Sequence, residues 1–355
     1  MTTTPKEIDV IVPIYNRERF VRSFVAMMAK QTYPAFKIYF ACGQSQDHTD
    51  DEIQNAIKEN PSMVIQFASV GAASIGELRN YWLNTTSLQG DYVAFLDIDD
   101  LVGPTLLESL VNKAEADNAD LVQCAFKRID EKTGKLVSLD MAHNPTVPIS
   151  HPLDHTNIVF IHTGVPAKLF RRSLIGDDVR FGNSSRFEDV AFVAKHLAKA
   201  NIVSFINQPL YTYVITKSSV SSFDSKEAVE QELQDARKVL LDLKQFYKKM
   251  APEAEQAGFI DSLAFLRYGI GLTTRACLMK GIKRHQVIKE SNIFLATYFP
   301  KWKTSPYLWR KNTKKYGGKT RFVRWCKHLY RIHCFGLFVF AYSTYTKVLK
   351  KDIKP

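Results

Sequence analysis

This chain of 355 residues is poor in cysteine, and its cysteines are badly placed for cross-linking. Cys42, Cys124, Cys277, Cys326 and Cys334 are odd in number and show no C-x-x-C spacing, which argues against both a disulfide framework and a zinc site. An apolar stretch starts at Phe335 and runs to near Leu349, but a bilayer-spanning helix needs roughly 20 residues. The first seven residues are polar, so no hydrophobic leader is expected. Internal repeats and low-complexity tracts are lacking as well. Acid is scarce at one end: among residues 301–355, Asp352 stands alone against 15 Lys and Arg. What remains is a chain with 45% hydrophobic content, enough for one large domain and a smaller second one.

Within it, Tyr92-Val93-Ala94-Phe95-Leu96-Asp97-Ile98-Asp99-Asp100 is the densest piece of chemistry. A buried strand runs into three carboxylates, and residues at i and i+2 of an extended chain point to one side. Asp97 and Asp99 can therefore converge on one hard cation, Mg²⁺ or Mn²⁺, whose shell phosphate oxygens would complete. An isolated D-x-D is more often a polar turn before a helix, here one starting near Pro104. Its surroundings decide otherwise.

Apolar runs at 8–14, 37–42, 63–67, 91–96 and 119–125 read as strands. Helical recurrences at 17–31, 75–83 and 105–116 alternate with them. Pro34 ends the first helix, because proline disfavours helical geometry in the residue before it. This alternation predicts an α/β fold, a mostly parallel sheet flanked by helices that gathers ligands at the strands' carboxyl ends. Asp97 and Asp99 fall at such an end.

The chain resembles the family 2 glycosyltransferases with the GT-A nucleotide-sugar fold. The resemblance is carried by Val10-Ile11-Val12-Pro13-Ile14-Tyr15-Asn16, Gln31-Thr32-Tyr33-Pro34, Ser45-Gln46-Asp47-His48-Thr49 and Gly76-Glu77-Leu78-Arg79-Asn80, then by the Asp97-Ile98-Asp99-Asp100 segment. Lys168-Leu169-Phe170-Arg171-Arg172, Phe187-Glu188-Asp189-Val190 and Pro209-Leu210-Tyr211-Thr212-Tyr213 follow in order. It covers roughly the first 220 residues. It implies an inverting transfer of a hexose or N-acetylhexosamine from a nucleotide-diphosphate sugar to a cell-surface glycan, lipid-linked oligosaccharide or wall polymer. It also implies a divalent cation, Mn²⁺ or Mg²⁺. By the same resemblance Asp189 is the general base, Asp99 a metal ligand, and Asp97 belongs to the nucleotide ribose or the metal shell. Pro13, Tyr15, Asn16, Gly43, Asp47 and Arg79 border the donor. Asp100 either joins the metal shell or holds the loop, and Glu188 lies on the acceptor side. Glu188 and Asp189 would equally suit the acidic first turn of a helix, where carboxylates favour the dipole. One departure concerns the base: where relatives place aspartates before the turn after the second strand, this chain has Cys42 and Gly43. UDP stays the expected nucleotide, with Gln44, Asp47 or backbone groups reading the base. The arginine common after the Tyr-x-Tyr element is Val214 here, with Lys217 the nearest cation.

Charge splits the chain. Residues 1–222 carry 21 Lys and Arg against 25 Asp and Glu, and residues 223–355 carry 27 against 11. We expect a catalytic domain over 1–222 and a helical basic domain over 223–355, with long helices at 225–250 and 254–280. Trp302, Tyr307, Trp309, Tyr316, Phe322, Trp325 and Tyr330 are interleaved with cations, a mixture suited to the headgroup level of an anionic membrane. Acceptor binding and self-association into a homo-oligomer are its other open roles, and a helix packed on the enzyme is the plain alternative. The expected location is cytoplasmic, peripheral on the inner face of the cell membrane. No zinc-finger, RRM or helix-turn-helix signature accompanies the basic charge, so nucleic acid is not an expected partner. The alternatives to an enzyme are a non-catalytic GT-A binding module and a basic polyanion- or nucleic-acid-binding protein.

Overall fold

The computed structural model describes residues 5–71, 74–182, 187–216, 225–309 and 318–348, without the side chains of 318–321 and 343–348. Lys217, Ser222, Tyr316 and Leu349 lie outside them. The chain divides into two compact units: residues 1–152 with 162–219, and residues 153–161 with 220–355.

In chain order the first unit contains β1 (Ile8–Ile14), α1 (Glu18–Met28), β2 (Phe36–Cys42), α2 (Thr49–Glu59), β3 (Ile65–Ser69), α3 (Ile75–Leu83), β4 (Tyr92–Phe95) and β5 (Leu101–Val102). It continues with α4 (Leu106–Asp117), β6 (Leu121–Asp130), β7 (Leu136–Asp140), β8 (Ile149–Ser150), β9 (Lys168–Arg171), α5 (Arg172–Ile175), α6 (Glu188–Leu197) and β10 (Ile202–Ile215). These strands form one sheet in the order β3-β2-β1-β4-β9-β6-β10-β5, with β7 on β6 and β8 on β10. The half made of β3, β2, β1 and β4 is parallel, as the alternating pattern predicts. Every residue of β1 is buried, the mark of a strand covered on both faces. Beyond β4 the sheet is mixed rather than parallel. β9 runs antiparallel to both β4 and β6, and β7 turns back on β6 through Gly134, at φ +63°. A turn that tight can join only antiparallel neighbours. This is an α/β fold with a central sheet flanked by helices.

The second unit is helical. α7 (Lys226–Met250) starts at Ser225, whose hydroxyl accepts the Ala228 N–H at 3.1 Å. The helix expected over 254–280 is in fact broken into α8 (Pro252–Gln256), α9 (Phe259–Ala264), a π-helical segment (Phe265–Leu272) and α10 (Thr273–Leu278). Gly258 adopts φ +81°, a left-handed conformation no continuous α-helix accommodates. α11 (Arg284–Tyr298) and helices Gly318–Arg331 and Phe335–Val348 complete it. Aromatic rings fill the core: Trp302 stacks on Phe265 at 4.3 Å, and Tyr330 meets Phe265 edge-on at 5.2 Å. Trp302, Tyr307 and Tyr330 are therefore buried packing rather than the surface aromatics read from the sequence, while Trp309 and Trp325 are exposed. Among the described residues no helix is long and apolar enough to cross a membrane.

Candidate active site

The carboxylates singled out in the sequence meet around one buried side chain, Arg79. α3 delivers it. Ser74 and Glu77 form a reciprocal capping box, the Ser74 hydroxyl accepting the Glu77 N–H at 3.2 Å and the Glu77 carboxylate accepting the Ser74 N–H at 3.0 Å. The helix start is pressed so close to residue 182 that a Cβ on Gly76 would lie 2.6 Å from the Gly182 carbonyl oxygen. One turn on, the Arg79 guanidinium is 3% exposed. Its Nη1 donates to Asp189 Oδ1 at 2.6 Å and its Nη2 to Asp97 Oδ1 at 3.1 Å, with Glu188 Oε1 3.7 Å from Nη1.

Aromatic packing brings the two carboxylate-bearing elements together. Phe95 precedes Asp97 by two residues, and Phe192 follows Asp189 by three, nearly one helical turn. The two rings lie 5.5 Å apart, and Phe181 stacks on Phe192 at 3.9 Å beneath Arg79, whose Cζ is 5.2 Å from the Phe181 centroid. His196, one further turn along α6, is a core residue against Phe192, and burial lowers its pKa to about 4.

The local electrostatics are those of surplus negative charge. Burial opposes the charge on Arg79, yet Asp189, Asp97 and Glu188 outweigh it and raise the arginine's pKa. Burial lifts Asp97 to about 6, Arg79 pulling it down while Asp99 and Asp189 push it up. Glu188 rises to about 8 through burial with Asp189 alongside, and its Oε2 has no hydrogen-bond partner among the described residues. Burial thus favours its neutral form. Asp189 keeps its second oxygen on the Val165 N–H at 3.1 Å.

Asp99 is held differently: its Oδ2 lies 3.4 Å from Arg17 Nε. Asp100 is turned inward, accepting from the Tyr211 hydroxyl at 2.5 Å and the Val214 N–H at 2.8 Å. Both its oxygens are occupied by protein, and burial, with Asp97 adding to it, raises its pKa well above the usual range. Of the two roles open to Asp100, these contacts describe the loop-holding one.

The remaining sequence candidates line the carboxyl ends of β1 and β2. Pro13 pairs in register with Ala41. Tyr15 is exposed, and Asn16 sits at φ +50° with its side-chain oxygen accepting the Gln46 N–H at 2.7 Å. Gly43 donates its N–H to the Ile14 carbonyl at 2.8 Å. Asp47 accepts from the Glu18 and Thr49 N–H groups and the Thr49 hydroxyl, so it fastens the loop to the starts of α1 and α2. Cys42 is buried with its thiol pushed up to about 12, leaving no charged group at that position. Sequence reasoning missed Arg17 and Tyr211 as members of the site. Arg17 directly follows Asn16 at a strand end, a signal that was available; the Tyr211 contact depends on β10 folding back beside the loop after β4.

A divalent cation fits this donor set in charge and hardness. Five carboxylates share the locus with two guanidiniums, and the raised pKa values of Asp97 and Glu188 record the imbalance. Among the described residues no three His, Cys, Asp or Glu side chains are disposed to hold a metal alone, so ligand oxygens would supply the rest of its shell.

The sequence profile of Glycosyl transferase family 2 matches residues 9–177. That segment is a glycosyl transferase family 2 domain. The protein EpsH of Bacillus subtilis is 28% identical over 235 residues, 64% of this chain and 66% of EpsH. The poly(ribitol-phosphate) beta-N-acetylglucosaminyltransferase TarS of Staphylococcus aureus is 25% identical over 58% of this chain and 35% of its own length. Such curated relatives are thus matched over two thirds of their length or less. The crystal structure of S. aureus TarS 1–349 in complex with UDP-GlcNAc superposes with a TM-score of 0.65 at 19% identity, covering 96% of this chain and 92% of that one. The mannosyltransferase PcManGT of Pyrobaculum calidifontis, in complex with GDP-Man and Mn²⁺, superposes at 0.52 with 14% identity, over 99% and 89%. At these identities the likeness establishes the fold.

Proposed function

We propose that the protein is an inverting, cation-dependent glycosyltransferase that moves a hexose or N-acetylhexosamine from UDP to a hydroxyl of a cell-surface glycan, lipid-linked oligosaccharide or wall polymer. The observation that carries this reading is Arg79 joining Asp97 at the end of β4 to Asp189 at the start of α6, inside a family 2 domain. TarS, which shares the fold, was crystallised with UDP and UDP-GlcNAc and is named for acting on poly(ribitol-phosphate). That supports UDP and an anionic wall polymer as first choices.

In this reading the acceptor hydroxyl oxygen attacks the anomeric carbon, the bond from that carbon to the diphosphate oxygen breaks, and Asp189 takes the hydroxyl proton. Arg79 holds the Asp189 carboxylate at a fixed angle, and the Val165 N–H fixes its other oxygen. Glu188, neutral beside it, adds no second charge to repel the leaving diphosphate. Asp99, with Asp97, would hold the cation, which when bound offsets charge on the diphosphate. Arg17, already 3.4 Å from Asp99, is the second cationic group at that end. The chain would work at the inner face of the cell membrane, its basic C-terminal unit serving membrane association, acceptor binding or self-association. A panel of nucleotide sugars tested for hydrolysis without acceptor, with and without Mn²⁺, decides the matter. Release of UDP from one sugar in a metal-dependent manner is the expected result; binding without turnover for every donor would mark a binding module instead.

A further inference from the structure

A second concentration of charge lies in the helical unit and has no part in the chemistry above. A cavity of about 320 Å³ is lined by Lys303, Trp309, Arg324, Lys327, His328 and Arg331 together with Leu308, with no acidic residue among its described walls. Arg324, Lys327, His328 and Arg331 fall at i, i+3, i+4 and i+7 of helix Gly318–Arg331 and so share one face. The opposite face is core, with Val323, Cys326, Leu329 and Tyr330 buried. None of Lys303, Arg324, Lys327 or Arg331 makes an ion pair among the described residues. Like charges held this close raise one another's energy: burial and Arg331 lower the Lys327 ammonium to about 8. An anion seated there would relieve that strain.

Cations alone would suit any phosphate, but the flank of the same helix is apolar. Trp325, next to Arg324, is 49% exposed while its ring contacts Phe338 at 5.4 Å, which sets helix Phe335–Val348 along that flank. Phe338 and Val339 face inward there, and Leu337 and Phe340 face water at 67% and 65% exposure. Ile332, just past the basic face, is 48% exposed. Exposed apolar side chains on this helix and on the helix packed against it, together with the cationic pocket, match a ligand that is anionic at its head and hydrocarbon behind it.

We propose that this pocket and the adjoining apolar arc form one binding surface for an anionic phospholipid layer, a headgroup phosphate seating among Arg324, Lys327 and Arg331 while Trp325, Leu337 and Phe340 enter the lipid. It rests on the membrane-associated reading above and gives that reading a specific site.

Sedimentation of the full chain with vesicles tests it, using phosphatidylglycerol–phosphatidylcholine and pure phosphatidylcholine at low salt. Binding is expected to the anionic vesicles only. The triple variant Arg324→Gln/Lys327→Gln/Arg331→Gln should weaken it by about 100-fold, since each surface cation contributes on the order of a factor of five. Leu337→Ser/Phe340→Ser should weaken it by about tenfold through lost apolar insertion. Arg324→Lys/Arg331→Lys, which keeps the charge, should bind as the parent does, and each variant's melting curve verifies its folding. The proposal is overturned if the parent binds neither vesicle, if soluble pyrophosphate or a phosphodiester polymer binds while vesicles do not, or if the apolar double variant binds unchanged. Nucleotide-sugar hydrolysis by the parent without vesicles is read separately. Vesicle binding without hydrolysis refutes the enzymatic proposal and keeps this surface, and hydrolysis without vesicle binding does the reverse.

Discussion

The two units treat charge in opposite ways. The N-terminal unit is nearly balanced in composition, yet it buries Arg79 among Asp97, Glu188 and Asp189 and turns Asp100 inward onto Tyr211. The helical unit carries most of the excess positive charge, yet fills its core with stacked rings such as Phe265 and Trp302 and leaves Arg324, Lys327 and Arg331 at a cavity wall. Net charge is therefore a poor guide to where chemistry resides. A buried ion cluster costs desolvation that packing alone would avoid, and it persists where charge is needed in place. Surface cations cost little and act on whatever anion approaches.

The largest effect should follow from removing Asp99, whose carboxylate lies beside the Arg17 guanidinium at 3.4 Å. Asp99→Ala is expected to abolish transfer, because a cation ligand is lost and the diphosphate charge stays unneutralised, a loss of several kcal/mol in the transition state. Full activity of this variant, or of the parent in excess EDTA, would remove the cation from the mechanism. Next comes Asp189→Asn, which keeps shape but not proton affinity. Turnover should fall about 10²- to 10⁴-fold with donor affinity nearly intact. Collapse of donor affinity with turnover preserved would make Asp189 a binder and point to Glu188 as base.

A third pair of variants sets the units directly against each other. Arg79→Met removes the buried guanidinium that joins the half-buried Asp97 and Asp189 and should cost on the order of 3 kcal/mol of stability together with activity. Trp302→Ala opens a cavity beside Phe265 and should cost a similar ~3–5 kcal/mol, while donor hydrolysis by the folded fraction persists. Denaturant melts scored against hydrolysis would separate the two outcomes, and equal loss of specific activity in both would dissolve the contrast.

A further effect concerns Glu188. Its folded-state pKa, about 8, lies above the ordinary glutamate value, so the folded protein holds a proton that the unfolded chain releases. Stability should then fall as pH rises from about 4.5 toward 8. Glu188→Gln should flatten that decline and leave the protein more stable at pH 8 than the parent. Thermal melts across that range measure it, and an unchanged slope would mean that the carboxyl ionises freely in place.

Much of the first unit is legible in the chain because its signals are local. The apolar runs that become β1, β2 and β4 and the stop at Pro34 each act within a few residues, and Asp97, Asp99 and Asp189 stand in motifs with recognisable neighbours. The mixed half of the sheet was less legible, since a four-residue strand such as β9 carries no mark of its direction. In the second unit the expected helix over 254–280 failed at Gly258, where one residue's left-handed backbone outweighs the helical pattern on either side. Trp302, Tyr307 and Tyr330 misled for a related reason: composition cannot distinguish a ring at a surface from a ring in a core.

By itself, then, the sequence determined the α/β order of elements, the carboxylates at a strand end and the charge imbalance between the halves. Propensity, periodicity and composition are properties of short segments and survive without a fold. Tertiary structure alone decided that Arg79 would reach Asp189 across 110 residues and join it to Asp97, that Asp100 would face Tyr211, and which of the C-terminal cations and aromatics would meet solvent. Those outcomes depend on which distant segments exclude water from one another, and no local pattern encodes that.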